Sequence, residues 1–510
     1  MPGFRRSLVV FITATAVLAA ATQHSAAAER RELVLFPFDD YALPFNKGLI
    51  LTLQAGRKGR TNNVLGSDPD HPGNPVLNVG KPGDPDFPRA YFYGTVLHVD
   101  GEYRMWYSGR DNDKSRHICY AVSKDGLKWE KPKLGLVDYH GSTANNLVAT
   151  DDKLTPGMIA LVVHDKDDPD PNRRFKMIRE ITPAEIWASV SADGLTWHSV
   201  NEGKDVIKGS NLEPSGFIRH DGVYYLNGHG GPIPHPIQAR GTLRPQKRMM
   251  VTLMSYDFVN WTDAGHLSYR RDNIPPRPVL DFDFNRGEQM HLGAGLWDRG
   301  NVILGFYGMY HNPLTDRREV TVDIGLIVSH DAIHFKEPVP DFQIIPGAEE
   351  EDRAEQRITQ AQGFQNIGNT SYVYYGIWTE INRDSATGVR VATWPRDRFG
   401  YFSPAIGVED AHCVSSLVNV DAEQPQRVYL NATGMTAESR ITVEVLDEQF
   451  RPVEGYTATD LQPINDDSGL KLPLAWGKNK TLPTGKPVRL RVNFDGLAAE
   501  AAKFYALYVE

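Results

Sequence analysis

Tyr103-Arg-Met-Trp-Tyr-Ser-Gly109, followed after a short loop by His117-Ile-Cys-Tyr-Ala-Val-Ser-Lys-Asp-Gly-Leu-Lys-Trp129, decides the fold. The two aromatic-rich runs read as antiparallel strands. The Ser-Lys-Asp-Gly segment reads as a turn, because glycine accepts the positive φ that a tight reversal demands. The pattern returns in Ile186-Trp-Ala-Ser-Val-Ser-Ala-Asp-Gly-Leu-Thr-Trp197, in Thr252-Leu-Met-Ser-Tyr-Asp-Phe-Val-Asn-Trp261 and in Gly325-Leu-Ile-Val-Ser-His-Asp-Ala-Ile-His-Phe335. It returns once more, degraded, in Ala392-Thr-Trp-Pro-Arg-Asp-Arg-Phe399. Aligned on Asp125, Asp193, Asp257, Asp331 and Asp397, the units are 68, 64, 74 and 66 residues apart. Repeats of this length, with several short strands and no helical period, are the signature of propeller blades. The expected fold is therefore all-β, with a five-bladed β-propeller over residues 29–404. Beyond Pro404 the repeat stops, and Ile441-Thr-Val-Glu-Val445 and Val488-Arg-Leu-Arg-Val-Asn-Phe494 alternate with period two. Residues 405–510 are accordingly read as a β-sandwich.

Outside the repeat, the chain opens with Arg5 and Arg6, an apolar run from Leu8 to Ala21 and a small-residue site at Ala26-Ala27-Ala28. Residues 1–28 read as a signal peptide, and the protein is expected to be secreted or periplasmic. The apolar run is too short for a membrane span, and no second run of about 20 apolar residues follows. Of the 510 residues, 55 are Lys or Arg and 64 are Asp or Glu, a net charge of −9 that provides no basic surface for nucleic acid. With two cysteines far apart, Cys119 and Cys413, neither a disulfide framework nor a cysteine-based zinc site is expected. No cofactor or metal is expected.

The innermost strand of a blade begins at the central channel. Counting eleven residues back from each second strand places Phe92, Glu213, His291 and Gln360 there in blades one, three, four and five. In blade two the near-equivalent is Asp165, ten residues before Phe175. Polar groups in otherwise apolar strands are costly to bury unpaired, which makes these positions candidates for chemistry. Loops on the same face add Arg110, Asp111, Arg179, Glu180, His229, Tyr310, His311, Trp378 and Glu380 as substrate contacts.

The repeated blades and the Ser-x-Asp-Gly-x-x-Trp turns resemble the five-bladed propeller glycoside hydrolases of the arabinanase–xylosidase and invertase–levanase groups. The trailing sandwich is similar to the layout of the invertase–levanase group. The resemblance implies a poly- or oligosaccharide substrate and three carboxylates, an Asp on blade one, an Asp on blade two and a Glu on blade three. Glu213 then corresponds to the general acid and Asp165 to the orienting, pKa-tuning carboxylate. Blade one departs from the pattern, since Phe92 fills the expected slot. Asp86 in Gly83-Asp-Pro-Asp-Phe-Pro88 is taken as base or nucleophile, with Asp84, Asp40 and Asp39 in reserve and inversion favoured because the invertase-type Asn-Asp-Pro motif is missing. Arg110, His229, His291, His311, Gln360 and Trp378 are the expected substrate-binding residues. Two other readings stay open: a non-catalytic carbohydrate-binding propeller, and a glycoside phosphorylase whose phosphate would meet Arg110 and Arg116.

Overall fold

The repeated turns are closed by side chains. In Ser191-Ala-Asp-Gly-Leu-Thr-Trp197, Ser191 Oγ accepts from Gly194 N at 2.9 Å, and Asp193 Oδ1 accepts from Leu195 N and Thr196 N at 2.8 and 2.9 Å. The Trp197 indole then donates to Gly194 O at 3.0 Å. Ser123 to Trp129 repeats every one of these bonds. Gly126 and Gly194 take φ of 73° and 80°, whereas Phe258 and Ala332 hold the same left-handed position in the third and fourth repeats at 67° and 61°. There the serine and aspartate bonds have to offset the strain of a side chain at positive φ. The fifth aspartate differs. Asp397 is fully buried and bonds Arg299 Nη1 at 2.5 Å, Asn366 at 3.1 Å and Tyr508 OH at 3.0 Å.

The structure is a computed structural model that describes residues 32–58, 75–151, 159–182, 185–204, 206–207, 212–230, 248–271, 289–311, 320–347, 357–377, 388–464 and 467–510. The expected signal peptide lies outside the described residues. The protein is all-β, and short 3-10 turns are the only helical pieces among the described residues. The repeats form five strand modules. Module one holds Arg89–Val99, Glu102–Arg110 and Arg116–Ser123, and module two holds Ile159–His164, Phe175–Thr182, Glu185–Ser191 and Thr196–Ser199. Module three holds Leu212–His220, Val223–Gly230, Met250–Ser255 and Thr262–Tyr269, and module four Gln289–Asp298, Ile303–His311, Thr321–Ser329 and Gln343–Ile345. Module five holds Ile358–Ile367, Thr370–Ile377 and Arg390–Pro395, and its fourth strand, Arg57–Lys58, comes from the N-terminal side of the chain.

First strands neighbour one another in cyclic order, one to two, two to three, three to four, four to five and five back to one. Side chains tie these neighbours where strand ladders do not. Thr95 Oγ1 accepts from Val162 N at 2.9 Å, and the Asn227 amide both donates to Ala294 O and accepts from Ala294 N at 3.0 Å. Gln362 Oε1 accepts from Leu296 N at 2.9 Å, and modules five and one pair directly in parallel at Gln362↔Thr95 and Gly363↔Val96. The approach is close enough to require glycine. A Cβ on Gly216 would stand 2.1 Å from Ala294 O, and one on Gly295 would stand 2.2 Å from Ala361 O.

Two further sheets enclose a separate core that includes Trp476, Val443, Leu490, Val492, Phe504 and Leu507. These sheets are not made from the C-terminal residues alone. Leu33–Leu35 pairs with Lys503–Val509, Phe45–Lys47 pairs with Ala411–Val414, and Leu49–Leu53 pairs with Gly400–Pro404. The Arg299–Asp397–Tyr508 cluster then links modules four and five to the last strand.

Candidate active site

Within each module the first and second strands form a hairpin, so the start of the first lies beside the end of the second. This end carries Arg89 and Arg110 in module one, Ile159 and Glu180 in module two, and Glu213 and His229 in module three. In modules four and five it carries Gln289 with Tyr310 and Ile358 with Ile377. The end is called the mouth below.

Glu180 is the most perturbed carboxyl at the mouth. It is 1 % exposed, and neither oxygen has a hydrogen-bond partner among the described residues. Burial first, and the charge of Glu213 second, raise its pKa to about 8, with Arg116 opposing the rise. At neutral pH Glu180 therefore carries a proton while facing Glu213 across adjacent modules. Glu213 is less enclosed, and its Oε2 lies 3.3 Å from His229 Nε2. The Tyr93 hydroxyl feels Arg116, Glu213 and Glu180 as well; burial and Tyr91, more than those charges, push its pKa far up.

The rest of the mouth is held neutral or cationic. His229 is driven well below its ordinary range by burial and then by Arg248 and His291, and His291 is pushed down to about 3 by burial and Arg248. His291 stacks on Tyr310 at 6.3 Å, and the Arg248 guanidinium lies 4.5 Å over the same tyrosine. Gln360 Nε2 donates to Ser215 Oγ at 3.1 Å, to His291 O at 2.5 Å and to Gly293 O at 2.9 Å. Its amide is thereby used to bind modules three, four and five together beneath Glu213 and His291.

Glu213 and His229 stand side by side, and His291 and Gln360 lie next to them in modules four and five. Arg110 ends the second strand of module one, and His311 ends that of module four with Nε2 2.9 Å from Asp323 Oδ2. Trp378 and Glu380 lie outside the described residues.

Two of the expected carboxylates stand elsewhere. Asp165 sits at the opposite end of its hairpin, beside the closing pair His164↔Phe175. Its carboxylate accepts from the Tyr224 hydroxyl and lies 3.4 Å from Lys176 Nζ and 3.3 Å from Arg219 Nε. The count misses because residues 165–174 form a long connection where modules one and three turn within two residues, so ten steps back from Phe175 never reach the strand's start. Asp86 is fully buried, accepts from Tyr107 OH at 2.8 Å and pairs with Lys131 Nζ at 2.5 Å. Tyr107 alternates with Trp106, Ser108 and Arg110, so Asp86 lies on the opposite face of module one from the arginine. Phe92, in turn, packs into the wall against Tyr374.

Glu180 appears in the sequence reading only as a rim contact. Five residues after the closing pair of the hairpin, modules three and four carry Gly228 and Gly308, modules one and five carry Tyr107 and Tyr375, and module two carries Glu180, the one charged group of the five. Among the described residues, Asp111, Asp113 and His140 bring possible metal-ligand atoms within 4.8 Å of one another. Asp111 is already bonded to Ser115 N, His117 and Tyr139, and the other two are exposed.

No family model matches the chain, and no curated protein matches it. Among solved structures it is similar to a glycosyl hydrolase from Bacteroides ovatus, at 14% identity over 69% of this chain and 95% of that one, with a TM-score of 0.43. It is also similar to a family 43 arabinoxylan arabinofuranohydrolase from Bacillus subtilis, at 11% identity over 85% and 98% of the two chains and a TM-score of 0.39. A third similar structure belongs to work on glycoside hydrolase family 130, mannoside phosphorylases that include hydrolases of β-1,2 mannosidic linkages in Candida mannan; identity is 15% over 67% and 94%, with a TM-score of 0.41. At such distances no residue of those proteins is equated with one here.

Proposed function

We propose that this chain is an exported glycoside hydrolase, a five-bladed propeller with an attached β-sandwich, acting on a poly- or oligosaccharide at the mouth. The observation that carries the proposal is the Glu180–Glu213 pair, in which one carboxyl keeps a proton up to about pH 8 because it is buried beside another acid. Cleaving a glycosidic bond needs a carboxylic acid that is still protonated at working pH and a carboxylate to activate water or attack carbon. The pair holds the proton, and Glu213, its less enclosed member, passes it to the leaving oxygen. Glu180, on which the proton rests, releases it to Glu213 as Glu213 protonates the leaving oxygen, and so takes the place the sequence reading gave to Asp165. Neutral His229 and His291 bond sugar hydroxyls.

Turnover of poly- and oligosaccharides and aryl glycosides, with and without phosphate, tests the proposal. Phosphate-independent hydrolysis of poly- or oligosaccharides that falls about 10²- to 10⁴-fold in Glu213→Gln supports it. Dependence on phosphate would instead identify a phosphorylase, and binding without turnover a carbohydrate-binding propeller.

A further inference from the structure

A proton that rests on Glu180 and leaves through Glu213 has to cross from one carboxyl to the other. Neither oxygen of Glu180 has a hydrogen-bond partner among the described residues, so the two acids are not bonded to each other directly. A group that carries the proton across must accept it on one side and donate on the other. A hydroxyl does both.

The innermost strands bulge at the channel, and bulges re-aim side chains beside active sites. In module one, Tyr91 pairs with Ser108 and Thr95 with Trp106, so Phe92, Tyr93 and Gly94 stand against Tyr107 alone. Module five repeats this: Gln360 pairs with Tyr375 and Phe364 with Val373, leaving Ala361, Gln362 and Gly363 against Tyr374. Modules three and four insert Ser215 and Leu292–Gly293 at the corresponding place. The polar groups of these insertions are used within the ring. Gln362 accepts from Leu296 N and donates to Leu296 O, and Gln360 donates to Ser215 Oγ and Gly293 O. Tyr93 holds the place of Gln362 in module one, yet its hydroxyl bonds to nothing among the described residues.

Tyr93 is also placed beside both acids. It is 8 % exposed and shares one core with Ile159 and Ile178 of module two and Leu212 of module three. Ile159 is the cross-strand partner of Glu180, and Leu212 precedes Glu213. The Tyr93 ring stacks on that of Tyr91 at 5.9 Å, and Arg89 holds the Tyr91 hydroxyl at 3.0 Å. The Tyr93 hydroxyl lies within electrostatic reach of Arg116, Glu213 and Glu180, and burial above all keeps it protonated.

We propose that the Tyr93 hydroxyl relays the proton from Glu180 to Glu213. The inference rests on the glycosidase reading above and adds a residue to it. The Glu180 O–H bond breaks as its proton bonds to the phenolic oxygen, and the phenolic O–H bond breaks as that proton passes to Glu213. Glu213 protonates the leaving oxygen, which takes the electron pair of the glycosidic bond. The tyrosine ends neutral, Glu213 ends ionised as it began, and Glu180 ends ionised and regains a proton from water. Both phenolic bonds change together, so no phenolate accumulates. Tyr93 acts through Glu213 rather than on the sugar.

Full pH–rate profiles of the wild type, Tyr93→Phe, Glu180→Gln and the double variant, on a substrate with a poor leaving group, test the relay. Tyr93→Phe keeps the ring and removes the hydroxyl. It should slow hydrolysis by about 10- to 100-fold, a part of what general acid catalysis supplies, and move the alkaline limb to lower pH because Glu213 then depends on its own protonation. Activated aryl glycosides should be slowed far less. The double variant should be no slower than Glu180→Gln alone, since both changes cut one path. In the wild type, kcat should depend on the D2O fraction along a curve, because more than one proton moves in the same step; this measurement needs no variant to fold. An unmoved alkaline limb in a Tyr93→Phe protein that unfolds at the wild-type temperature, additive losses in the double variant, or a linear D2O dependence each overturns the relay. Wild-type hydrolysis and its loss in Glu213→Gln are read separately, so the relay can fail while the glycosidase reading stands, and a wild type without hydrolysis removes both.

Discussion

Replacing Glu180 by glutamine should shift stability in the variant's favour, relative to the wild type, progressively as pH rises. Glu180 has an ordinary pKa of 4.5 and is held up to about 8 by burial and by Glu213. A carboxyl raised on folding binds its proton more tightly in the folded state, so its contribution falls as pH climbs from the unfolded to the folded value. Below about pH 4.5 the group costs nothing, and above about pH 8 the full cost is present. At 1.36 kcal/mol per pH unit, the cost grows by roughly 3–4 kcal/mol between pH 5 and pH 8. Exposure of 1 % leaves little solvent screening to reduce it. A glutamine does not titrate, so the stability difference between variant and wild type should widen by up to that amount over the interval. The offset at pH 5, set by burying an amide, is immaterial because the pH dependence is what is read. Denaturant unfolding at pH 5, 6, 7 and 8 measures it. A constant difference across the series would mean that Glu180 is not a buried protonated acid, and the proposed role for the pair would fall.

Three other outcomes follow from the same geometry. Glu213→Gln should slow hydrolysis of substrates with poor leaving groups by about 10²- to 10⁴-fold and affect activated aryl glycosides far less; equal losses on both would remove Glu213 from proton delivery. Asp86→Asn should cost roughly 3 kcal/mol of stability by leaving Lys131 without its buried partner, with kcat preserved when assayed well below the melting temperature. Gly216→Ala should destabilise by about 1–3 kcal/mol, visible in thermal unfolding, because the new methyl would meet Ala294 O at 2.1 Å.

The modules were legible because each turn is written locally. Ser123, Asp125, Gly126 and Trp129 sit within seven residues and close their own bonds, so the repeat reports itself in the sequence. The sandwich was half legible. Its strands alternate cleanly, but nothing local tells Leu33–Leu35 that its partner is Lys503–Val509 at the far end of the chain. The candidate site divides in the same way. Glu213 and His291 were found by register, since a short hairpin makes the count reliable. The long connection 165–174 breaks the count for Asp165, and nothing local marks Glu180, because its burial and the approach of Glu213 and Arg116 are tertiary facts. Asp86 illustrates the remaining difficulty, for a rigid acidic loop looks the same in sequence whether it faces a channel or a buried lysine.

Glu180 carries the functional weight because packing does not explain it. Its position is uncharged in the other four modules, its carboxyl bonds to nothing among the described residues, and a second acid acts on it. Any apolar residue of suitable size would relieve both costs, so retention of a carboxyl there argues for use of its proton. That use has a kinetic signature distinct from structural tolerance. If Glu180 keeps the pair protonated for Glu213, kcat should hold up to about pH 8 and decline above it. In Glu180→Gln the pair has lost the group on which its proton rests, and the alkaline limb should move to lower pH while activity survives there. A profile whose alkaline limb stays in place would show that the proton comes from another group. Activity lost equally at every pH would point to Glu180 as itself the donor, and the roles of the two acids would be exchanged.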